Sequence, residues 1–166
     1  CKALTAREGT HYRLPTEEEW EYACRAGTQT AWNFGGEGAA LGKYAWYAKN
    51  ANDLGAKHPH QVRLKIPNPF GLYDMHGNVL EWCQDYYAKR DPQVSPEKDP
   101  SRPPVGASKV LKGGTWFNRS YDTRSARRHH LPPDQRNHFS GFRLVFQLES
   151  VLGQPQLTNS LPRRPD

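Results

Sequence analysis

Glycine and proline interrupt this chain so often, fourteen of each in 166 residues, that little continuous helix fits anywhere along it. One stretch escapes the punctuation. In RLPTEEEWEYACRAG (13–27), Thr16 and Glu19 form a capping-box pair, and Glu17, Glu18 and Glu19 sit at the positive end of the helix dipole. Gly27 is placed to end the helix, and Trp20, Ala23 and Cys24 share one face for burial. The opening CKALTAREG reads as the end of another helix with Gly9 as its stop, which leads us to expect that part of the domain precedes Cys1.

Beyond the helix the pattern is one of turns and short strands. Residues 28–69 are mostly irregular, with Trp32, Phe34, Tyr44, Trp46 and Tyr47 expected as satellite core. His58 and His60 flank Pro59, but a metal there needs further ligands. NPFGLYDMHGNVLEWCQDYY (68–87) is turn-like in its first half and strand-like in its second. Residues 88–108 read as a surface excursion. Val110 begins a strand that Gly113 and Gly114 break, where another backbone or a ligand comes close. Phe142, Leu144 and Phe146 alternate with Arg143, Val145 and Gln147 as a closing strand, and residues 150–166 carry no packing pattern and read as a flexible tail. The class is α+β, one domain over residues 1–149.

Charge has a single focus. Residues 109–143 hold eight basic side chains against Asp122 and Asp134, which accounts for the whole formal charge of +6. Such a patch attracts anionic partners, or its arginines are buried partners of carboxylates and carbonyls; Arg127 and Arg136 are expected to secure loops through Asp134 and carbonyls. No nucleic-acid reading motif accompanies it. The three cysteines, Cys1, Cys24 and Cys83, lack metal-type pairing, and an odd count argues against a disulfide framework, so a reducing, cytoplasmic setting is the expectation. Cys24 and Cys83 lie among apolar neighbours and are expected as inert buried thiols. No segment is apolar enough to span a bilayer.

Two places carry possible chemistry. Asp74, just before a glycine turn, and Glu81, on the following strand, can converge with backbone carbonyls between them, an oxygen set suited to a hard cation such as calcium; an Asp capping its own turn is the plain alternative. The other is WFNRSYDTRSARRHH (116–130), crowded with aromatic, amide and basic side chains but without an apolar period. Its His129 and His130, with His138, are solvated loop residues or metal ligands without diagnostic spacing. Ser120 and Ser125 lack the strand-turn-helix context of a nucleophile elbow.

RLPTEEEWEYACRAG, NPFGLYDMHGNVLEWCQDYY, VLKGGTW with RSARR, and PDQRNHFSGFRLV, in that order, closely resemble the sulfatase-modifying-factor family, the domain of formylglycine-generating enzymes. The resemblance runs from Cys1 to Val145. It implies a C-type-lectin-like fold with short antiparallel strands, few helices and long ordered loops, in which a strand and most of a helix normally lie upstream of the position that Cys1 occupies. It also implies a structural calcium held by the side chains of Asp74 and Glu81 and the carbonyls of Gly77 and Val79.

The generating enzyme oxidises a sulfatase cysteine with copper held by paired thiolates shortly after the Gly-Gly strand, and neither a hydroxyl nor an amide replaces a soft thiolate for Cu(I). This chain has Asn118 and Thr123 there, or Asp122 after a one-residue slip, and no cysteine beyond Cys83. Copper is therefore not expected. An oxidase with an altered or partner-supplied metal site is the rival reading. The layout instead resembles the variable proteins of diversity-generating retroelements, which use the stretch between the Gly-Gly strand and the GFR strand as a ligand-binding surface. Anchors Trp116, Arg124, Ser125, Arg127 or Arg128, Pro133, Asp134, Arg136, Gly141, Phe142 and Arg143 alternate there with chemically arbitrary positions. The resemblance implies a face for a protein or other macromolecular ligand across residues 116–140. It comprises Trp116, Phe117, Asn118, Tyr121, Asp122, His129, His130, Asn137, His138 and Phe139, side chains favoured on adaptable binding surfaces.

Overall fold

The computed structural model describes residues 1–88 and 106–146; most of the expected excursion at 88–108, Gln147 and the expected tail lie outside the described residues. Helix α1 (Lys2–Glu8) ends at Gly9, whose φ of 69° is left-handed, with its N–H donating to the Thr5 carbonyl. Strand β1 (Tyr12–Arg13) leads into α2 (Glu17–Arg25). The capping box forms: Thr16 Oγ1 accepts from Glu19 N–H and Glu19 Oε2 accepts from Thr16 N–H. Such a cap contributes about 1 kcal/mol. The helix stops one residue earlier than Gly27 suggested, because Ala26 already adopts the left-handed conformation at φ 47°.

A four-stranded sheet lies beside α2. Its strands β4 (Leu80–Tyr86), β5 (Lys109–Lys112), β6 (His129–Leu131) and β7 (Ser140–Gly141) stand in the order β6-β5-β4-β7. The β4–β5 and β5–β6 pairs are antiparallel and β4–β7 is parallel. Short pairs complete the frame: β2 (Ala45–Trp46), which follows the one-turn helix α3 (Leu41–Tyr44), runs parallel to β3 (His76–Gly77), and β1 pairs antiparallel with β8 (Val145–Phe146). Trp20, Cys24, Met75, Cys83 and Val110 fill the core between α2 and the sheet. A second cluster of Trp32, Leu41, Ala45 and Tyr47 with partly buried Phe34 packs the irregular middle, as expected of Trp32, Phe34 and Tyr47, whereas Tyr44 stacks on Phe34 outside the cluster and Trp46 stacks on His60.

The glycine positions do what the turns require. A Cβ on Gly77 (φ 75°) would stand 2.0 Å from the Trp46 carbonyl oxygen, so no other residue fits that close crossing. At Gly114 (φ 78°) a Cβ would meet the Asp122 carbonyl at 3.0 Å, which is the near backbone that the broken strand signalled.

The closing strand differs from its alternation pattern. It splits into β7 and β8, and Phe142 and Phe146 point outward, 66% and 53% exposed. Arg143 turns inward instead and clasps Glu81 with both Nε (2.6 Å) and Nη2 (2.7 Å), so an ion pair rather than an apolar side chain closes the sheet there.

Candidate functional site

Residues 115–128 are irregular but tied to the body at every turn. Trp116 N–H donates to the Asn78 carbonyl, Ala48 N–H to the Asn118 carbonyl, and Ser125 N–H to the Ala31 carbonyl. The short 3-10 helix Ser120–Thr123 is held from below. Trp32 Nε1 donates to Thr123 Oγ1, and His76 Nδ1 lies 2.8 Å from the Thr123 carbonyl. His76 is 1% exposed, and burial pulls its pKa down from 6.5 to about 4, partly opposed by that carbonyl. A neutral ring donating through Nδ1 leaves Nε2 as an acceptor. Nε2 accepts from the Asn33 backbone N–H at 3.4 Å, and the Asn33 amide, placed with Oδ1 2.8 Å from Nε2, is assigned the flipped orientation that turns its NH2 to the ring. Sequence reading passed over His76, because nothing local distinguishes a buried histidine from an exposed one.

Four of the ten expected ligand positions converge. Trp116, Phe117, His138 and Phe139 form one aromatic patch, with ring centroids 3.9 Å apart for His138–Phe139 and 6.0 Å for Phe117–Phe139. Trp116 is its buried floor, and Phe117 is 53% exposed at its rim. Tyr121 lines a different cleft of about 490 Å³ with Tyr47, Lys49, Asp53 and Arg119. His129 and His130 lie on β6, where His130 stacks on Tyr87 at 4.1 Å and half-buried His129 faces the Asp122 carbonyl. Burial lowers the His129 pKa.

Three positions do internal work. Asn118 Oδ1 accepts from both Thr115 N–H and Thr115 Oγ1 and so closes a turn. Asp122 is buried and pairs with Arg127 at 3.1 Å. Asn137 Oδ1 accepts from Phe139 N–H. Arg127 thus takes Asp122 rather than the exposed Asp134, because the 3-10 turn brings Asp122 beneath it.

Carboxylates of α2 meet the cations of the sheet and loop. Lys112 is fully buried, with Nζ 2.9 Å from Glu21 and 4.0 Å from Glu17. Glu17 also pairs with Arg128 at 2.8 Å and Glu21 with Arg25 at 2.9 Å. The charge focus of residues 109–143 is therefore partly structural.

On the other side of β4, Asp74, Val79 and Glu81 line a cavity of about 530 Å³ together with Arg143, Arg63 and Phe142. Buried Asp74, at φ 57°, accepts Arg63 N–H at Oδ2, while its Oδ1 is buried with no partner. That oxygen fits a hard cation. Glu81 is more committed: Oε2 accepts from Trp20 Nε1 and Arg143 Nε, both at 2.6 Å, and Oε1 accepts from Arg143 Nη2. A cation here would share Glu81 with Arg143. No group of three or more His, Cys, Asp or Glu side chains is placed to hold a metal among the described residues. Nor is any helix among them long and apolar enough to cross a membrane. Cys24 and Cys83 are buried free thiols, and burial pushes Cys24 up to about 12.

A small α+β frame that ties down a long irregular loop bearing exposed rings is a C-type-lectin-like domain. This chain belongs to the sulfatase-modifying factor enzyme 1-like domain family, whose model matches residues 1–148. It is 38% identical over 154 residues to the formylglycine-generating enzyme of Streptomyces coelicolor, covering 85% of this chain and 48% of that protein. It is 37% identical over 133 residues to the serine/threonine-protein kinase pkn1 of Chlamydia pneumoniae, covering 79% of this chain and 20% of that protein. Among solved structures, Treponema denticola variable protein 1 matches with a TM-score of 0.72 and 39% identity over 81% of this chain and 47% of that one. The chain thus spans half or less of the length of these relatives.

Proposed function

We propose that this domain is a non-catalytic ligand-binding module whose face across residues 116–140 takes a protein or other macromolecular ligand. The carrying observation is the patch of Trp116, Phe117, His138 and Phe139 on a segment whose backbone is held at both sides by the body. Rigid aromatic rings supply contact area at little entropic cost, and a tied loop loses little further freedom on binding. Similarity to a variable protein supports the same reading.

The donor set argues against the copper oxidation of the generating enzymes. Where paired thiolates are needed, Asn118 closes a turn on Thr115, and Thr123 Oγ1 is fully buried between Trp32 Nε1 and the Ser120 carbonyl. Neither offers a soft ligand. Incubation with copper and a cysteine-containing sulfatase peptide is expected to yield no formylglycine; aldehyde formation would reverse the assignment. Comparison of close relatives should show change concentrated at Phe117, Tyr121, His138 and Phe139.

Calcium is proposed as a structural ion, with Asp74 Oδ1 and the carbonyls of Gly77 and Val79 as ligands and Glu81 contributing Oε1 beside Arg143. It would neutralise an otherwise unpartnered buried carboxylate oxygen. The melting temperature is expected to fall when a calcium chelator is added and to recover with excess calcium. Unchanged melting would remove the ion from the scaffold.

A further inference from the structure

A second site lies where the anchors of residues 124–128 face helix α2. Arg25, Arg124, Arg127 and Arg128 line one cleft of about 440 Å³ with Gln29, Thr30 and Tyr87. The arginines come from two separate parts of the chain, and the Ser125 N–H bond to the Ala31 carbonyl holds the two walls together.

The charges do not cancel. Arg25 and Lys112 share Glu21, Arg128 and Lys112 share Glu17, and Arg127 has Asp122. Arg124 has only the Tyr121 carbonyl, which its Nε meets at 2.8 Å. Lys112 is buried behind the wall, so four arginines line the cleft itself, and Arg124 among them has no carboxylate partner. Several of the guanidinium groups are also fixed before any ligand arrives. Arg25 Nη1 donates to the Thr30 carbonyl, Arg128 Nη1 donates to the Ala88 carbonyl, and the Arg128 guanidinium lies 4.8 Å over the Tyr87 ring. Arg124 and Arg127 are exposed and complete the rim. Preorganised forked donors from four arginines match a phosphoryl group, which offers several oxygens to separate guanidinium forks, better than a single carboxylate.

We propose that this cleft binds a phosphate monoester, with Arg124 and Arg127 meeting the phosphoryl oxygens from the rim and Arg25 and Arg128 setting the charge beneath. The site uses none of the aromatic patch, so the two proposals stand or fall separately.

The test is calorimetric titration of the whole chain with phenyl phosphate, a phosphoserine peptide and inorganic phosphate, for the wild type and for Arg124→Ala, Arg127→Ala and Arg136→Ala. Arg127 also holds Asp122, so Arg124→Ala, which breaks only a carbonyl contact, keeps the test clear of folding defects. Saturable binding weakened about tenfold by Arg124→Ala, unchanged by Arg136→Ala and reduced by added salt is expected. Binding of phenyl phosphate or the peptide supports the monoester, and binding of the peptide in preference places it on a modified protein; binding of inorganic phosphate alone overturns the monoester assignment. Absence of binding at about 10 mM ligand, or equal weakening by Arg136→Ala as diffuse charge would give, overturns the proposal.

Discussion

Lowering the pH should loosen the loop that carries the proposed recognition face, because its underside rests on a histidine that must stay neutral. His76 meets the Thr123 carbonyl and Asn33 from a position 1% exposed, and its pKa is lowered to about 4. The unfolded chain binds a proton at this residue near pH 6.5 and the folded chain does not, so the unfolded state holds more protons between those values. Stability is therefore complete above pH 6.5, declines as pH falls from 6.5 to about 4, and suffers no further loss from this group below that. The interval corresponds to about 3 kcal/mol at 1.36 kcal/mol per pKa unit. Urea unfolding at half-unit steps from pH 8 to 4 measures it, for the wild type and for His76→Gln. Burial also lowers the pKa of His60 and His129, so both proteins keep some slope. The wild type's advantage at pH 8 is expected to shrink across the window by most of that amount, with amide exchange at residues 120–125 accelerating first. Parallel pH profiles for the two proteins would refute the reasoning.

Three further outcomes follow from packing and charge. Lys112→Ala leaves Glu21 to Arg25, takes the more distant cation from Glu17, which keeps Arg128, and empties a fully buried site, and should cost about 2–5 kcal/mol, read by chemical denaturation. Lys112→Met keeps the stem's volume and should lose less if packing shares the role. Gly77→Ala forces a Cβ against the Trp46 carbonyl in a left-handed backbone, and should cost about 3 kcal/mol or more or abolish soluble expression. Phe117→Ala, at a half-exposed ring, should leave stability within about 0.5 kcal/mol while weakening ligand binding, which separates recognition from folding.

The candidate site was only partly legible in sequence. The segment between the Gly-Gly break and the GFR motif stands out by composition, and Trp116, Phe117, His138 and Phe139 do come together. Asn118, Asp122 and Asn137 read as presented side chains, yet each bonds within its own turn or to a near neighbour. Short polar side chains serve turns and ligands equally well, and which they serve depends on backbone geometry that a residue string does not display. The arginine cleft was visible only as a charge excess, since pairing Arg25 with Arg128 requires the long-range contact of α2 with the sheet.

By itself the sequence determined what short-range chemistry controls: the start of α2 through its capping box, the stop at Gly9, the glycine turns, the core face of Trp20 and Cys24, and the lack of paired thiolates after the Gly-Gly strand. Tertiary structure alone decided the rest. It buried Lys112 against two glutamates, turned Arg143 inward and Phe142 outward, and placed His76 beneath Thr123. Those choices depend on which distant group fills the opposite side of each residue, and burial of a charge or an imidazole is tolerable only when that partner is in place.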